Sequence, residues 1–457
     1  MDATADRLPQ RVAPGPRGLP WLGSLLEMKR AGQLPMLVRA WRRYGELVRF
    51  RMGPKTLYLV SHPDHIRHVL VANRDNYCKG FGNEKLKALV GMGLLTSEGR
   101  LWQQQRRLIQ PAFTAAAVGH YAPAITESTS TMIDRWRIRA AEDTPVEISA
   151  EMLRLAMQII GKTMFSVDVE QDADRIAHAL DYAFSFIIAR TLTAVDVPLF
   201  VPTPANRRFH HALHILDSFI YGMIEERRRL GDHKPDLLST LLQAHDAASG
   251  MGMSKRQLRD EVLTIFFAGH EATSLALTWT WYVLSQNPEV ERRLWEELDA
   301  VLGGRMPDLG DLPRLSYTRM VIEEAMRLYP PVPLFIREAV HDDAIAGYRV
   351  PAGSLVLICQ YIAHRHPAFW DNPGICDPER FSPEIAAGRA RFAYFPFGGG
   401  QRTCIGNNMA MLEAQLILAA VAQCYQLVLV PGQRIDPVAE GTLRPRHGIR
   451  MMLRPRP

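Results

Sequence analysis

Apolar residues recur at helical intervals along most of this chain, from beyond residue 60 to about residue 330. Ahead of that stretch stand two runs with strand character, Leu47–Met52 and Leu57–Val60, parted by the turn residues Gly53 and Pro54. Between roughly 334 and 360 strand signals return, with Tyr348–Val350, a turn at Pro351–Gly353, and Ser354–Ile358. The tail from about 426 to 453 also reads as short strands. The pattern predicts a mainly α chain with small β-sheets, an α+β fold. Residues 14–23, PGPRGLPWLG, are expected to run extended across the surface. Residues 1–13 mix charges with small side chains and read as a flexible tail, leaving 14–457 as a single domain.

One stretch, Val262–Leu284, is nearly all apolar and long enough to cross a bilayer. His270 and Glu271 sit near its middle, where an ionisable group in lipid is costly. It is flanked by Arg259, Asp260 and Glu261 and by Gln286, Asn287 and Pro288. A helix apolar all round is equally the buried centre of a large soluble fold, and that is the reading it receives.

Composition changes the picture little: of 457 residues, 47% are hydrophobic and 22% charged, as in ordinary globular chains. A net charge of +6 suits an acidic partner. No basic run interleaved with aromatics and no finger-like spacing points to nucleic acid. The five cysteines, Cys78, Cys359, Cys376, Cys404 and Cys424, are odd in number and scattered, so they suggest neither a disulfide framework nor a zinc site. The first thirteen residues hold no apolar segment, so no secretory signal or membrane anchor is expected and the reading is cytoplasmic.

The chemistry concentrates around Cys404. Apolar residues Met409, Leu412, Leu416 and Val421 predict a helix beginning near Ile405, which places the cysteine at a helix N-terminus. There the dipole favours an anion and is expected to lower the thiol's pKa. Three glycines, Gly398 to Gly400, open the preceding loop to conformations closed to other residues. Gly406 keeps the helix start bare where a flat cofactor would lie. Phe397, Gly400, Arg402, Cys404 and Gly406 complete the pattern F-x-x-G-x-R-x-C-x-G, five fixed positions in ten. That pattern is the signature of the cytochrome P450 family, which the chain resembles over nearly its whole length. The resemblance implies haem b between the central helix and the cysteine-loop helix, its iron held by the Cys404 thiolate. It further implies that Arg402 pairs with a haem propionate and Phe397 shields the sulfur.

Other segments take meaning from the same resemblance. Glu324 and Arg327, on one face of a helical stretch, lie 80 residues before the cysteine and just ahead of Pro330 and Pro331. They resemble the family's buried pair, with Arg380 as third partner, supporting the fold and the haem loop rather than the chemistry. Trp102 and Arg106, four apart, look like propionate-holding residues, as does Arg337. In the central helix Ala268 and Gly269 look like the small pair that lets dioxygen approach, and Glu271 like the proton-delivery acid, with a salt-bridged core carboxylate as its plain alternative. The family's order is acid then threonine, but here Ala272 follows Glu271 and Thr273 stands about 100° further round the helix. Thr273 reaches the site only through a local kink; otherwise water, a substrate hydroxyl or Ser274 must relay protons.

The resemblance also implies a hydrophobic small-molecule substrate, such as a terpenoid, a fatty acyl chain or a macrocycle. Leu89, Met92, Leu94, Phe184, Ile187, Ile188, Leu192, Leu199 and Phe200, with the 441–443 turn, would line its pocket. Dioxygen is the co-substrate, and a ferredoxin or flavodoxin with its NAD(P)H reductase supplies the electrons, since no G-x-G-x-x-G dinucleotide motif follows a strand. The leading expectation is therefore a monooxygenase. A peroxide-driven or non-oxygenating haem-thiolate enzyme stands second, on Ala272, and a haem sensor or carrier third.

Overall fold

A computed structural model describes residues 11–169, 172–191, 193, 196–231, 234–244 and 252–456. Helices dominate to Leu328, as the apolar spacing predicts, and a long helix at Asn407–Cys424 follows the cysteine loop. In chain order the strands are β1 (Leu47–Met52), β2 (Lys55–Val60), β3 (Tyr77–Cys78), β4 (Val146–Glu147), β5 (Phe335–Ala339), β6 (Asp343–Ile345), β7 (Tyr348–Val350), β8 (Leu355–Ile358), β9 (Tyr425–Leu429), β10 (Pro437–Glu440), β11 (Thr442–Pro445) and β12 (Arg450–Pro455).

The main sheet has the order β1-β2-β8-β5-β3. β1 and β2 form a hairpin, Leu47 opposite Val60, turned by Gly53 at φ +59°. β8 lies parallel to β2, with Leu57 beside Leu355, and β5 then runs antiparallel to β8. β3 pairs with β5 over only two residues, setting Cys78 opposite Glu338. β12 joins β4 and β9, while β10 and β11 make a hairpin turned at Gly441, φ +84°.

Of Arg11–Ala13, expected in the tail, Arg11 and Ala13 make ordered contacts while Val12 is exposed. The Arg11 carbonyl accepts from the Arg349 N–H at 3.0 Å, its guanidinium lies 4.9 Å from the Tyr348 ring centre, and Ala13 is buried. The segment after them hugs β1: the Pro14 carbonyl accepts from the Arg49 N–H, and side chains at Gly15 or Gly23 would collide with the Arg49 and Arg51 carbonyls. That contact explains the glycines better than surface exposure does.

The apolar run lies inside a helix from Lys255 to Gln286. Ser254 caps it by accepting the Gln257 N–H at 3.1 Å, and the chain turns at Asn287–Pro288. It is buried on nearly every side, against the Ile148–Phe165, Ser316–Leu328 and Asn407–Cys424 helices. Trp279, fully buried, stacks on Tyr329 at 4.3 Å and donates to the Leu443 carbonyl. No helix among the described residues is long and apolar enough to cross a membrane.

Candidate functional site

The cysteine loop is built by glycines that approach other backbone. Gly400 sits at φ +69°, and a side chain on it would collide with the Leu70 carbonyl; one on Gly399 would collide with the Phe392 ring. The loop closes when the Cys404 N–H donates to the Phe397 carbonyl at 2.9 Å. Gly406 then caps the helix that begins at Asn407, two residues later than the spacing predicts. The Cys404 side chain keeps exposed surface, but within walls close enough that burial pushes its thiol up. A hydrogen bond from the Gly406 backbone and the charge of Arg106 pull the other way. The expected lowering by the helix start is thus outweighed by desolvation. A positive centre against the sulfur is what would hold it as thiolate.

Cations crowd beside this loop. From the Gly99–Ile109 helix, Arg106 donates to the Thr403 carbonyl at 2.8 Å, and Trp102 offers its ring to the Arg402 guanidinium at 4.0 Å. Arg402 also donates to the Ser97 carbonyl, but its Nη1 is buried with no partner. Arg337, on β5, lies 5.0 Å from the Phe335 ring centre. Lys79, just past β3, donates its Nζ to the Leu95 carbonyl. Lys79, Arg337, Arg402, Trp102 and Glu98 border one cavity of about 250 Å³. Burial pushes Arg337 and Arg402 down to about 10 and Lys79 far below the usual lysine range, with Glu98 the carboxylate opposing all three shifts. Desolvated cations with an orphaned N–H call for an anion. The two propionates of a haem fit that demand, and Cys404 fits its iron. Lys79 carries no signal in sequence: only the β3–β5 pairing brings it beside Arg337.

On the central helix, Ala268 is exposed and Ala272, one turn on, is half-buried, while Phe266, Phe267 and Thr273 are buried. Ala268 and Ala272 therefore share an open face. Gly269, half-buried beside Ala268, also makes room for a neighbour: a methyl on it would meet the end of the Ile160 side chain on the Ile148–Phe165 helix. Thr273 donates back to the Gly269 carbonyl at 3.2 Å and Ser274 to the Glu271 carbonyl at 2.8 Å. The helix is continuous through this point, so the kink that would turn Thr273 toward the site is not formed. The Glu271 carboxylate accepts from Thr442 Oγ1 at 2.8 Å and pairs with Arg444 of β11, which also holds Asp181 at 2.5 Å. Glu271 thus stands in the salt-bridged arrangement, turned to the β10–β11 hairpin. Phe397 is half-buried and packs against the main core.

Glu324 and Arg327 are fully buried, joined by two hydrogen bonds of 2.6 and 2.7 Å. Arg327 spends its remaining donors on the His364, Pro373 and Ile375 carbonyls, and Glu324 accepts the Asp377 N–H. Arg380 stands further off, its Nε 3.8 Å from Glu324. The network stitches the Ser316–Leu328 helix to the segment that leads into the cysteine loop.

Of the apolar residues expected around a substrate, Leu89, Leu94, Phe184, Ile187 and Leu443 are buried, Ile188 and Leu199 half-buried, and Met92 and Phe200 exposed. Leu192 lies outside the described residues. In sequence Asp260 and Glu261 read as mere flanking charges. They are buried and latch the 91–95 loop: Asp260 accepts the Met92 N–H and Glu261 the Leu94 N–H, each at 2.9 Å. Gly91 and Gly93 press so close to Asp260 and Thr264 that no side chain fits. Burial raises Glu261 to about 8.

The family model described as cytochrome P450 matches residues 13–453. Cyclooctatin synthase of Streptomyces melanosporofaciens is 39% identical over 429 residues, 93% of this chain and 92% of that protein. Cyclooctat-9-en-7-ol 5-monooxygenase of the same organism is 36% identical, covering 88% of this chain and 89% of that protein. Pentalenene oxygenase of Streptomyces avermitilis is 32% identical, covering 92% and 96%. Among solved structures, the haem domain of cytochrome P450DA superposes with a TM-score of 0.88 at 26% identity, covering 99% of both chains.

Proposed function

This chain belongs to the cytochrome P450 family and is a haem-dependent monooxygenase; we propose that its substrate is a terpenoid hydrocarbon or terpenoid alcohol. The observation that carries the substrate class is the likeness, over about nine-tenths of the chain, to a cyclooctatin synthase and to two enzymes named as oxygenases of the terpenoids cyclooctat-9-en-7-ol and pentalenene. The haem, of the b type, supplies activation of dioxygen when bound through Cys404. Arg106, Arg337, Arg402 and Lys79 hold its propionates, and Trp102 keeps the Arg402 guanidinium aimed. Phe397 screens the sulfur from water. Ala268 and Ala272 would leave room for dioxygen on the open face of the central helix. Since the position after Glu271 presents a methyl group, no side-chain hydroxyl stands there to hold a proton. A water or a hydroxyl of the substrate takes that place, an arrangement suited to terpenoid alcohols.

Electrons come from a ferredoxin or flavodoxin with its reductase. Arg100 and Arg107 are exposed on the outer side of the helix whose inner side carries Trp102 and Arg106, and they suit an acidic partner. Peroxide-supported turnover is the second reading, favoured by Ala272 and by the Thr273 hydroxyl being taken up by its own helix.

The test is a titration of the haem-loaded protein with terpenoid hydrocarbons, terpenoid alcohols, fatty acids and macrocycles, read by the Soret band and then by product mass. Binding and oxygenation confined to the terpenoids is the expected result; a response to fatty acids alone would sink the proposal. In parallel, Cys404→Ser loses the red-shifted Soret band of the reduced carbon monoxide complex, while serine at Cys78, Cys359, Cys376 or Cys424 keeps it.

A further inference from the structure

A second constellation of ligating side chains lies at the rim of the main sheet, and none of its residues borders the cavity beside the cysteine loop. Glu46, just before β1, faces His62 and His65, the first capping and the second inside the short helix Pro63–Arg67 after β2; the three offer ligand atoms that all lie within 4.8 Å of one another. His65 Nδ1 is buried and has no partner. His62 Nδ1 accepts the Asp64 N–H, which fixes the ring and leaves its other nitrogen free. His366, buried, accepts the Ala368 N–H on Nδ1 and brings Nε2 to 3.6 Å from the Glu46 carboxylate. Phe369 packs on His62 and His366 at 5.1 and 5.2 Å, and Trp41 on His366 at 5.5 Å, so the cluster has an aromatic wall.

We propose that Glu46, His62 and His65 form a binding site for a divalent transition ion of the zinc type, with His366 as the outer partner that orients Glu46. Two imidazoles and a carboxylate are a donor set that zinc favours. A three-protein-ligand set leaves the fourth position to water, at the exposed edge beside Glu46. The orphaned nitrogen of His65 supplies the physical need, because a buried acceptor without a partner is costly and a metal satisfies it. The ion would clamp β1 and the His62–His65 turn, and through His366 the segment whose carbonyls receive Arg327. It is a structural clip that takes no part in the oxygen chemistry.

The experiment uses the full haem-loaded chain, stripped with a chelator and titrated calorimetrically with zinc chloride. One zinc per chain is expected, with a higher thermal midpoint that the chelator reverses. His65→Gln and His62→Gln weaken binding by at least about 100-fold, and His366→Gln by about 10- to 100-fold, the range for outer partners. His178→Gln, on an exposed histidine, changes nothing. Should a histidine variant lose its haem spectrum through misfolding, Glu46→Gln, on a partly exposed side chain, tests the same site through weakened binding. Absence of stoichiometric zinc uptake in the wild type, or uptake unchanged in folded His65→Gln or Glu46→Gln, overturns the proposal.

Discussion

At the scale of single side chains, the positions that follow Glu271 separate this chain from the family's usual order. Thr273 has its hydroxyl bound to the Gly269 carbonyl, so Thr273→Ala is expected to leave coupling of NADPH to product within about twofold of wild type, an exposed or back-bonded hydroxyl being worth little. Ala272→Thr adds a hydroxyl on the open face, and the ratio of peroxide released to product formed shifts while haem content stays constant. Collapse of coupling in Thr273→Ala with none in Ala272→Thr would place the working hydroxyl on Thr273 after all. Glu261 makes a different prediction. Its carboxyl is raised to about 8, so the folded chain keeps a proton that the unfolded chain releases from about pH 4.5 upward. Stability therefore falls as pH rises from about 4.5 to about 8, each unit of displacement being worth about 1.4 kcal/mol. Glu261→Gln flattens that decline; denaturant midpoints at pH 6 and pH 8.5 for both proteins measure it, and parallel declines would refute it. Cys404, Arg402, Trp102 and the Glu324–Arg327 pair were legible because their spacing is fixed within one short segment. Lys79 and Glu261 were not, since each acquires its role from a segment distant in sequence: β5 for one, the 91–95 loop for the other.

At the scale of elements, the buried Glu324–Arg327 pair marks where the Ser316–Leu328 helix grips the later chain. Removing one partner leaves an uncompensated charge with no water, so Arg327→Ala or Glu324→Ala is expected to cost about 3–5 kcal/mol and to abolish haem retention. Arg380→Ala, whose guanidinium stands 3.8 Å away, costs less. Chemical denaturation together with haem-to-protein ratio checks the ranking, and equal losses would contradict it. The long helices and β1, β2, β7 and β8 follow from periodicity and turn residues. β3 and β4, two residues each, have no period to display and exist only through their partners. The cysteine-loop helix starts late because Gly406, at φ −89° and ψ 14°, caps it instead of joining it.

At the scale of the whole molecule, β2 pairs in parallel with β8 across some three hundred residues, so the sheet that carries Arg337 is closed by strands from both ends of the helical part. The exposed Arg100 and Arg107 share a face of the helix that touches the cysteine loop. Turnover driven by an acidic ferredoxin should fall as ionic strength rises, and Arg107→Glu should raise the partner's apparent KM with less effect on kcat. Salt-independent turnover with unaltered KM would argue for docking elsewhere. The Glu271–Arg444–Asp181 chain joins the central helix, β11 and the Ala173–Thr191 helix as a ladder of two rungs. Its inner carboxylate is 12% exposed and its outer one 55%, so the outer rung is worth no more than about 1 kcal/mol and salt weakens it first. Amide exchange along 173–191 is expected to quicken with salt before that of β10 and β11, and equal quickening in all three would contradict the ranking of the rungs.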